Sequence, residues 1–422
     1  MSSLLPPSKP SLRILWVGPL IAERYFDNPA VSAAASIWQL GLIRSVLGQL
    51  SPQSSEAGIE IDYEPSNVFI ELISHLPCQS FPKGVLWPRS DASLFPQGFK
   101  GYGVGYCNLV WLRDWILRWQ YSRKIGKVLI TNAHNPFDLV VSYNAEVYVS
   151  APVANWARKM SLPWISIIAD LPKHYPQTFL INAKVAQADG RLFLSWKNFQ
   201  DFARPDHDLF LEGGVHLPEA SRSTSSKLKS FLNSGSKVKR IAYFGGLTTL
   251  GGMDLFLQAT CHLPGPQYEF HIIGVGDTLA VSRVQSFAKA DCRIHYHGPA
   301  SEKALHELGS MMDIFVDPRP KALSENNFPS KILTYLQFTR PIISTMGHGI
   351  PTEYHQVLIH LEQEDPAVLS QLIQSVCGWD EMRTTQYQST MNEFILNAKS
   401  WRAQGKRALD WMQSIVQKKH ST

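Results

Sequence analysis

The chain has 422 residues, 44% hydrophobic and 18% charged, a globular composition long enough for two domains of roughly 200 residues each. Its net charge of +5 comes with no basic stripe, which leaves no case for nucleic acid but suits anionic small molecules or an anionic membrane surface. Five cysteines scattered singly, with no C-x-x-C, exclude a disulfide framework or zinc-finger scaffold and suit a reducing cytoplasm.

The N-terminal "MSSLLPPSKPSLRILWVGPL" is interrupted by prolines, so no signal peptide is expected, and the apolar run that follows fits a buried strand. No run reaches the ~18 apolar residues of a membrane-spanning helix. The expected location is cytoplasmic, at most peripheral at the inner membrane face. Along the first half, "RILWVGPL", "VFIELISHL", "DLVVSYN", "PWISIIAD", "GRLFLS" and "DLFLEGG" read as strands. They are apolar on both faces and separated by helical patterns, which predicts parallel strands covered on both sides.

Between the second and third of these lies "WLRDWILRWQYSRKIGK", a helix with Trp111, Trp115 and Trp119 at i, i+4 spacing among Arg113, Arg118, Arg123, Lys124 and Lys127. Two readings stand: an amphipathic helix that lies on an anionic bilayer through residues 111–127, or a core helix with a solvated basic face. At the strand ends of this half, Gly18 and the segment holding Asp170 and His174 are candidate acceptor-side residues, because ligands in such folds bind beyond the carboxyl ends of strands. Asp170 has two readings, a catalytic residue that orients an acceptor hydroxyl or a cap on the next turn. His134 is read as a loop histidine.

The polar, Ser- and Lys-rich stretch after "LEGGV" marks a domain boundary near residues 215–237. The expected division is an acceptor-side domain, 1–215, and a donor-binding domain, 216–400. A final helix, 401–422, with Leu409, Met412 and Val416 on one face, is expected to pack back on the first domain. Both domains are expected to be doubly wound α/β units with parallel sheets, facing each other across a cleft.

The second half repeats the strand pattern in "RIAYFGGL", "EFHIIGVG", "RIHYHG", "DIFVDP", "PIIST" and "QVLIHL". Two glycine turns follow strands, one with Gly245 and Gly246, the other with Gly274. Glycines there let backbone approach a phosphate closely. The second turn imitates a dinucleotide fingerprint but lacks its third glycine and a following acid, so it reads as an ordinary strand–helix turn. His295 and His297 alternate on one strand and share a face; no third ligand lies near them in sequence, so they read as structural, and no metal is expected. "VDPRPKALSENNFPSK" places Asp317, Arg319 and Lys321 after a strand, and Lys331 opens the next helix. A cation in a first turn is electrostatically unfavourable, so Lys331 is expected to meet an anion there. With Arg319 it would make a forked donor and a point charge suited to a diphosphate.

"FPSKILTYLQFTRPIIST", with "VDPRP", "YFGGLTTLGGMDLFLQA" and "LFLEGGV", resembles glycosyltransferase family 4, in particular its surface-polysaccharide branch, over about residues 208–360. The resemblance implies a GT-B fold and a retaining transferase. Such an enzyme moves a sugar from a nucleotide-diphosphate-sugar to a hydroxyl of a glycan or lipid-linked acceptor, with no cofactor beyond that co-substrate. It implies that Gly245 and Gly246 lie against the diphosphate and that Phe328, Pro329 and Ser330 offer backbone to phosphates and sugar. Lys331 and Arg319 would neutralise charge. The family's acid pair is replaced by Asn326 and Thr334, and its basic residues in the glycine turn by Gly246 and Gly251. Thr334 is short and neutral where a carboxylate would clamp the ribose, with Glu325 as a compensating candidate. Two alternatives follow: a nucleotide-sugar epimerase of the same architecture, or a catalytically silent nucleotide- or glycan-binding paralogue.

Overall fold

The computed structural model describes residues 12–48, 67–169, 184–216, 238–323 and 328–421. Contacts divide the chain into two compact units. One runs to Gly214 and resumes at Trp401; the other is Val215–Ser400.

The first unit holds β1 (Leu12–Val17), β2 (Val68–Ser74), β3 (Lys100–Gly103), β4 (Leu139–Tyr143), β5 (Trp164–Ile168), β6 (Gly190–Phe193) and β7 (Leu209–Phe210). Its sheet has the order β3-β2-β1-β4-β5-β6-β7, and each pairing is parallel. The second unit holds β8 (Lys239–Phe244), β9 (Tyr268–Ile273), β10 (Ile294–Tyr296), β11 (Ile314–Asp317), β12 (Ile342–Ser344) and β13 (Ile359–His360). These form a second parallel sheet, ordered β10-β9-β8-β11-β12-β13. Each unit is a doubly wound, Rossmann-like α/β fold, as the apolar runs predict.

Every run taken as a strand from its apolar pattern is a strand. The sequence reading missed β3, whose residues "KGYG" have no apolar run; it is an edge strand, tied by Lys100 Nζ to Glu71 Oε1 at 2.7 Å. Strand order reverses between β1 and β4 in the first sheet and between β8 and β11 in the second. Such switch points leave a crevice at the carboxyl ends of the strands, because the crossover helices depart to opposite faces on either side.

In the first unit the helix Trp401–His420 packs against the helix Ala33–Val46. Glycines allow the close approach: a Cβ on Gly41 would lie 2.3 Å from the Trp401 ring. Met412 and Ile415 enter the core, with Leu409 and Val416 at its margin. The helix Val110–Thr131 buries Leu117, Tyr121, Ile125, Val128 and Leu129. Its tryptophans are not part of that buried face: Trp111, Trp115 and Trp119 are 78%, 68% and 51% exposed.

Candidate active site

The glycine turn after β8 and the strand end of β11 flank the second sheet's switch point. Asp317 ends β11 as a buried carboxylate whose side chain is 1% exposed. Lys331, first residue of the helix Lys331–Leu336, extends back to it, with Nζ 2.6 Å from Asp317 Oδ1 and its side chain 11% exposed. The same ammonium donates to Gly251 O at 3.2 Å and sits 4.3 Å from the Tyr243 ring centroid, a cation–π contact. The anion beside Lys331 in the folded chain is therefore Asp317. Burial holds the Lys331 ammonium below the usual lysine range, Asp317 opposes that shift, and the Arg319 charge adds to it.

Arg319 lies just past the strand end, half-buried, and its Nε is buried with no hydrogen-bond partner. A buried donor without an acceptor is unfavourable by about 1–3 kcal/mol, so the position is primed for an oxygen ligand. Together Asp317, Arg319 and Lys331 leave the crevice one positive charge in excess. Lys321, by contrast, serves the neighbouring loop: its backbone N–H donates to Glu364 Oε1 at 2.6 Å and its ammonium to Glu362 O at 3.3 Å.

Two tyrosines hold this crevice in shape. Tyr335, fully buried in the Lys331–Leu336 helix, accepts from the Phe244 N–H at 2.9 Å and donates to Phe244 O at 3.0 Å, with Val316 O at 3.3 Å. It thereby ties the ends of β8 and β11 together. The Tyr243 hydroxyl reaches Gly246 O at 2.7 Å and Gly251 O at 3.0 Å, closing the glycine turn. The sequence alone marks neither residue as part of the site; the signal it carries is that a buried tyrosine beside a glycine turn needs a partner for its hydroxyl.

The glycines divide into two kinds. Gly245 has φ +142°, and a Cβ there would only touch Lys331 Cδ at 3.4 Å; at Gly246 the nearest atom would be 3.9 Å away. Protein does not fill the space beside them. Gly252 and Gly274 instead mark close backbone crossings: a Cβ would come within 2.0 Å of Pro318 O and 1.8 Å of Gly245 O respectively. Gly274 therefore supports the Gly245 turn from behind. Phe328 packs on Tyr354 with ring centroids 5.2 Å apart, Pro329 is buried, Ser330 is exposed and Thr334 is half-buried in the short helix.

In the first unit, Gly18 follows β1 at its switch point, where a Cβ would lie 2.8 Å from Tyr143 Cβ; its glycine identity is explained by packing on the end of β4. Asp170, His174, Glu325 and Asn326 lie outside the described residues.

The strand register adds a third histidine to the two that alternate in sequence at 295 and 297. His271 on β9 is the register partner of His295 on β10. Among the described residues, Glu269, His271 and His295 form a group with metal-ligating potential, their ligand atoms within 4.8 Å of one another.

Residues 238–377 match the family model described as glycosyl transferases group 1. That stretch contains the glycine turn, Asp317, Arg319 and Lys331. Comparison of the sequence with curated proteins finds no match. Among solved structures, the chain is similar to a glycosyltransferase from Rickettsia africae, with 15% identity, TM-score 0.66, and 96% of this chain and 98% of that chain covered. It is also similar to sucrose-phosphate synthase from Thermosynechococcus elongatus, with 12% identity, TM-score 0.60, and coverage of 96% and 100%. A third is the Anabaena protein HepE in complex with UDP and glucose, with 15% identity, TM-score 0.57, and coverage of 96% and 100%. The fold is GT-B. Family match and fold together support a glycosyltransferase.

Proposed function

We propose that the chain is a retaining glycosyltransferase of family 4, acting in polysaccharide biosynthesis. It would transfer a sugar from a nucleoside-diphosphate-sugar to a hydroxyl of a glycan or lipid-linked acceptor. The observation that carries this reading is the Lys331–Asp317 pair with the unpartnered Arg319 Nε, beside open glycine backbone at a switch point. When the glycosidic bond breaks, negative charge grows on the departing diphosphate as the sugar becomes oxocarbenium-like. Stabilising that charge needs donors already in place in a poorly solvated site, where they do not have to reorganise. Asp317 keeps the Lys331 ammonium in place before substrate arrives, and Arg319 supplies a forked donor suited to phosphate oxygens. That the Anabaena neighbour is a complex with UDP and glucose supports a nucleoside diphosphate as the donor's leaving group.

Calorimetric titration with UDP and UDP-glucose tests the donor site. Arg319→Gln should weaken binding by tenfold or more, as expected for losing a charge-assisted hydrogen bond of about 1.5–3 kcal/mol. Its melting temperature should stay near wild type, because Arg319 Nε holds no partner in the fold. Equal affinity in variant and wild type would remove Arg319 from the proposal. Absence of binding by wild type to UDP- and other nucleoside-diphosphate-sugars would favour a silent glycan-binding paralogue.

The exposed Trp111, Trp115 and Trp119, each about one turn apart, favour a membrane-borne acceptor. Arg123 stands over the Trp119 ring at 5.6 Å, so basic and aromatic groups share this surface. Such a helix face binds anionic bilayers by combining apolar insertion with electrostatic attraction. The protein should sediment with phosphatidylglycerol-containing vesicles at low salt and release as ionic strength rises. Replacing all three tryptophans by serine should abolish sedimentation; retention of binding would assign it to another surface.

A further inference from the structure

Glu269 and His271 sit at i, i+2 on β9, so both side chains leave the same face of the strand. In the parallel register His295 of β10 stands beside His271, which places it on that face too, and His297 follows two residues on. The His271 and His295 rings stack with centroids 4.9 Å apart, and His271 Nδ1 lies 3.0 Å from His297 Nε2. His271 Nε2 is buried without a hydrogen-bond partner, 3.6 Å from Glu269 Oε2. Four groups able to ligate or support a metal thus converge at the edge of the second sheet, on strands other than β8 and β11.

We propose that Glu269, His271 and His295 bind a divalent transition-metal ion of the zinc class, with His297 as the hydrogen-bonding support of His271. The donor set of two imidazoles and one carboxylate suits zinc, whose nitrogen and oxygen ligands lie about 2.0–2.2 Å from the metal. Tetrahedral ligation at those lengths puts ligand atoms ~3.3 Å apart. The ligand atoms of the three groups already lie within 4.8 Å of one another, near that spacing. His297 accepting from His271 Nδ1–H selects the tautomer with the Nε2 lone pair free for the metal, the usual outer-shell arrangement at metal-bound histidines. Glu269 is held in place by Arg240 Nε at 3.3 Å.

The test uses the full chain, free of any polyhistidine tag and stripped with chelator, titrated with Zn²⁺ by calorimetry and with Co²⁺ by visible absorption. One saturable Zn²⁺ site is expected, with the d–d bands of low-coordinate Co²⁺. His295→Ala and Glu269→Gln should each weaken Zn²⁺ binding at least tenfold, and the half-exposed Glu269 makes its variant safe for folding. His297→Ala should weaken it about 10–100-fold, the size of an outer-shell loss. Mg²⁺ should not compete. The proposal is overturned if wild type shows no saturable Zn²⁺ site, or if folded Glu269→Gln and His295→Ala variants bind as tightly as wild type.

Discussion

Lys331→Met is expected to destabilise the protein by about 3–5 kcal/mol, far more than loss of an exposed lysine, because it strands a buried carboxylate. From sequence alone Lys331 reads as a helix-start cation awaiting an anionic ligand in a strand-end crevice, and its removal would have little effect on stability. The pairing with Asp317, whose side chain is 1% exposed, reverses that expectation. Asp317→Asn should be similarly costly, since the ammonium then keeps only its contacts with Gly251 O and the Tyr243 ring. The double variant Asp317→Asn/Lys331→Met removes both charges together and should recover most of the loss, as neutral replacements of buried ion pairs do. Nucleotide affinity separates this from a purely structural pair. It should fall in Lys331→Met and stay low in the double variant, whose stability has returned. Urea unfolding and calorimetry on the four proteins of the cycle measure both. A loss under about 1 kcal/mol in Lys331→Met would show that the pair is exposed to solvent screening. Full nucleotide affinity in the double variant would show that Lys331 does not meet the phosphates.

Gly252→Ala should cost about 2–5 kcal/mol and weaken nucleotide binding as well. The residue has φ +78°, a left-handed conformation that costs an L-residue about 1–2 kcal/mol. Its new Cβ would lie 2.0 Å from Pro318 O and 2.9 Å from Arg319 N, both backbone atoms, so the overlap cannot be relieved by a rotamer change. Forcing such a crossing apart adds about 1–3 kcal/mol. The segment displaced is the one that positions Arg319, which is why affinity should fall with stability. Gly246→Ala is the contrasting case. Its nearest atom would be 3.9 Å away, so unfolding should shift by no more than about 0.5 kcal/mol. A phosphate resting against that backbone would still be obstructed. A Gly252→Ala variant as stable as wild type would mean the turn and the β11 end move independently. Unchanged nucleotide binding in Gly246→Ala would place the diphosphate elsewhere.

The local pattern of the chain is enough to determine two parallel α/β sheets, because a strand buried on both faces must be apolar throughout, and that is readable within six or seven residues. It also places the glycine turns and Arg319 at strand ends, since each follows its strand directly. β3 escapes because an edge strand of lysine, tyrosine and glycine carries no such signal. What the tertiary structure decided are relations between residues distant in sequence. That Lys331 turns back onto Asp317 and not out to solvent is a matter of packing, and only β8 lying next to β11 brings the Tyr243 ring under its ammonium, so an apparently unpaired cation becomes half of a buried ion pair. Likewise, the histidines of β10 gain Glu269 and His271 only through the register with β9. The tryptophans at i, i+4 spacing fit a buried or an exposed stripe equally well; only the choice of Leu117, Tyr121 and Ile125 as the packed face left them in solvent. Periodicity is a property of one segment, whereas charge pairing, ligand convergence and exposure depend on what another segment places opposite it.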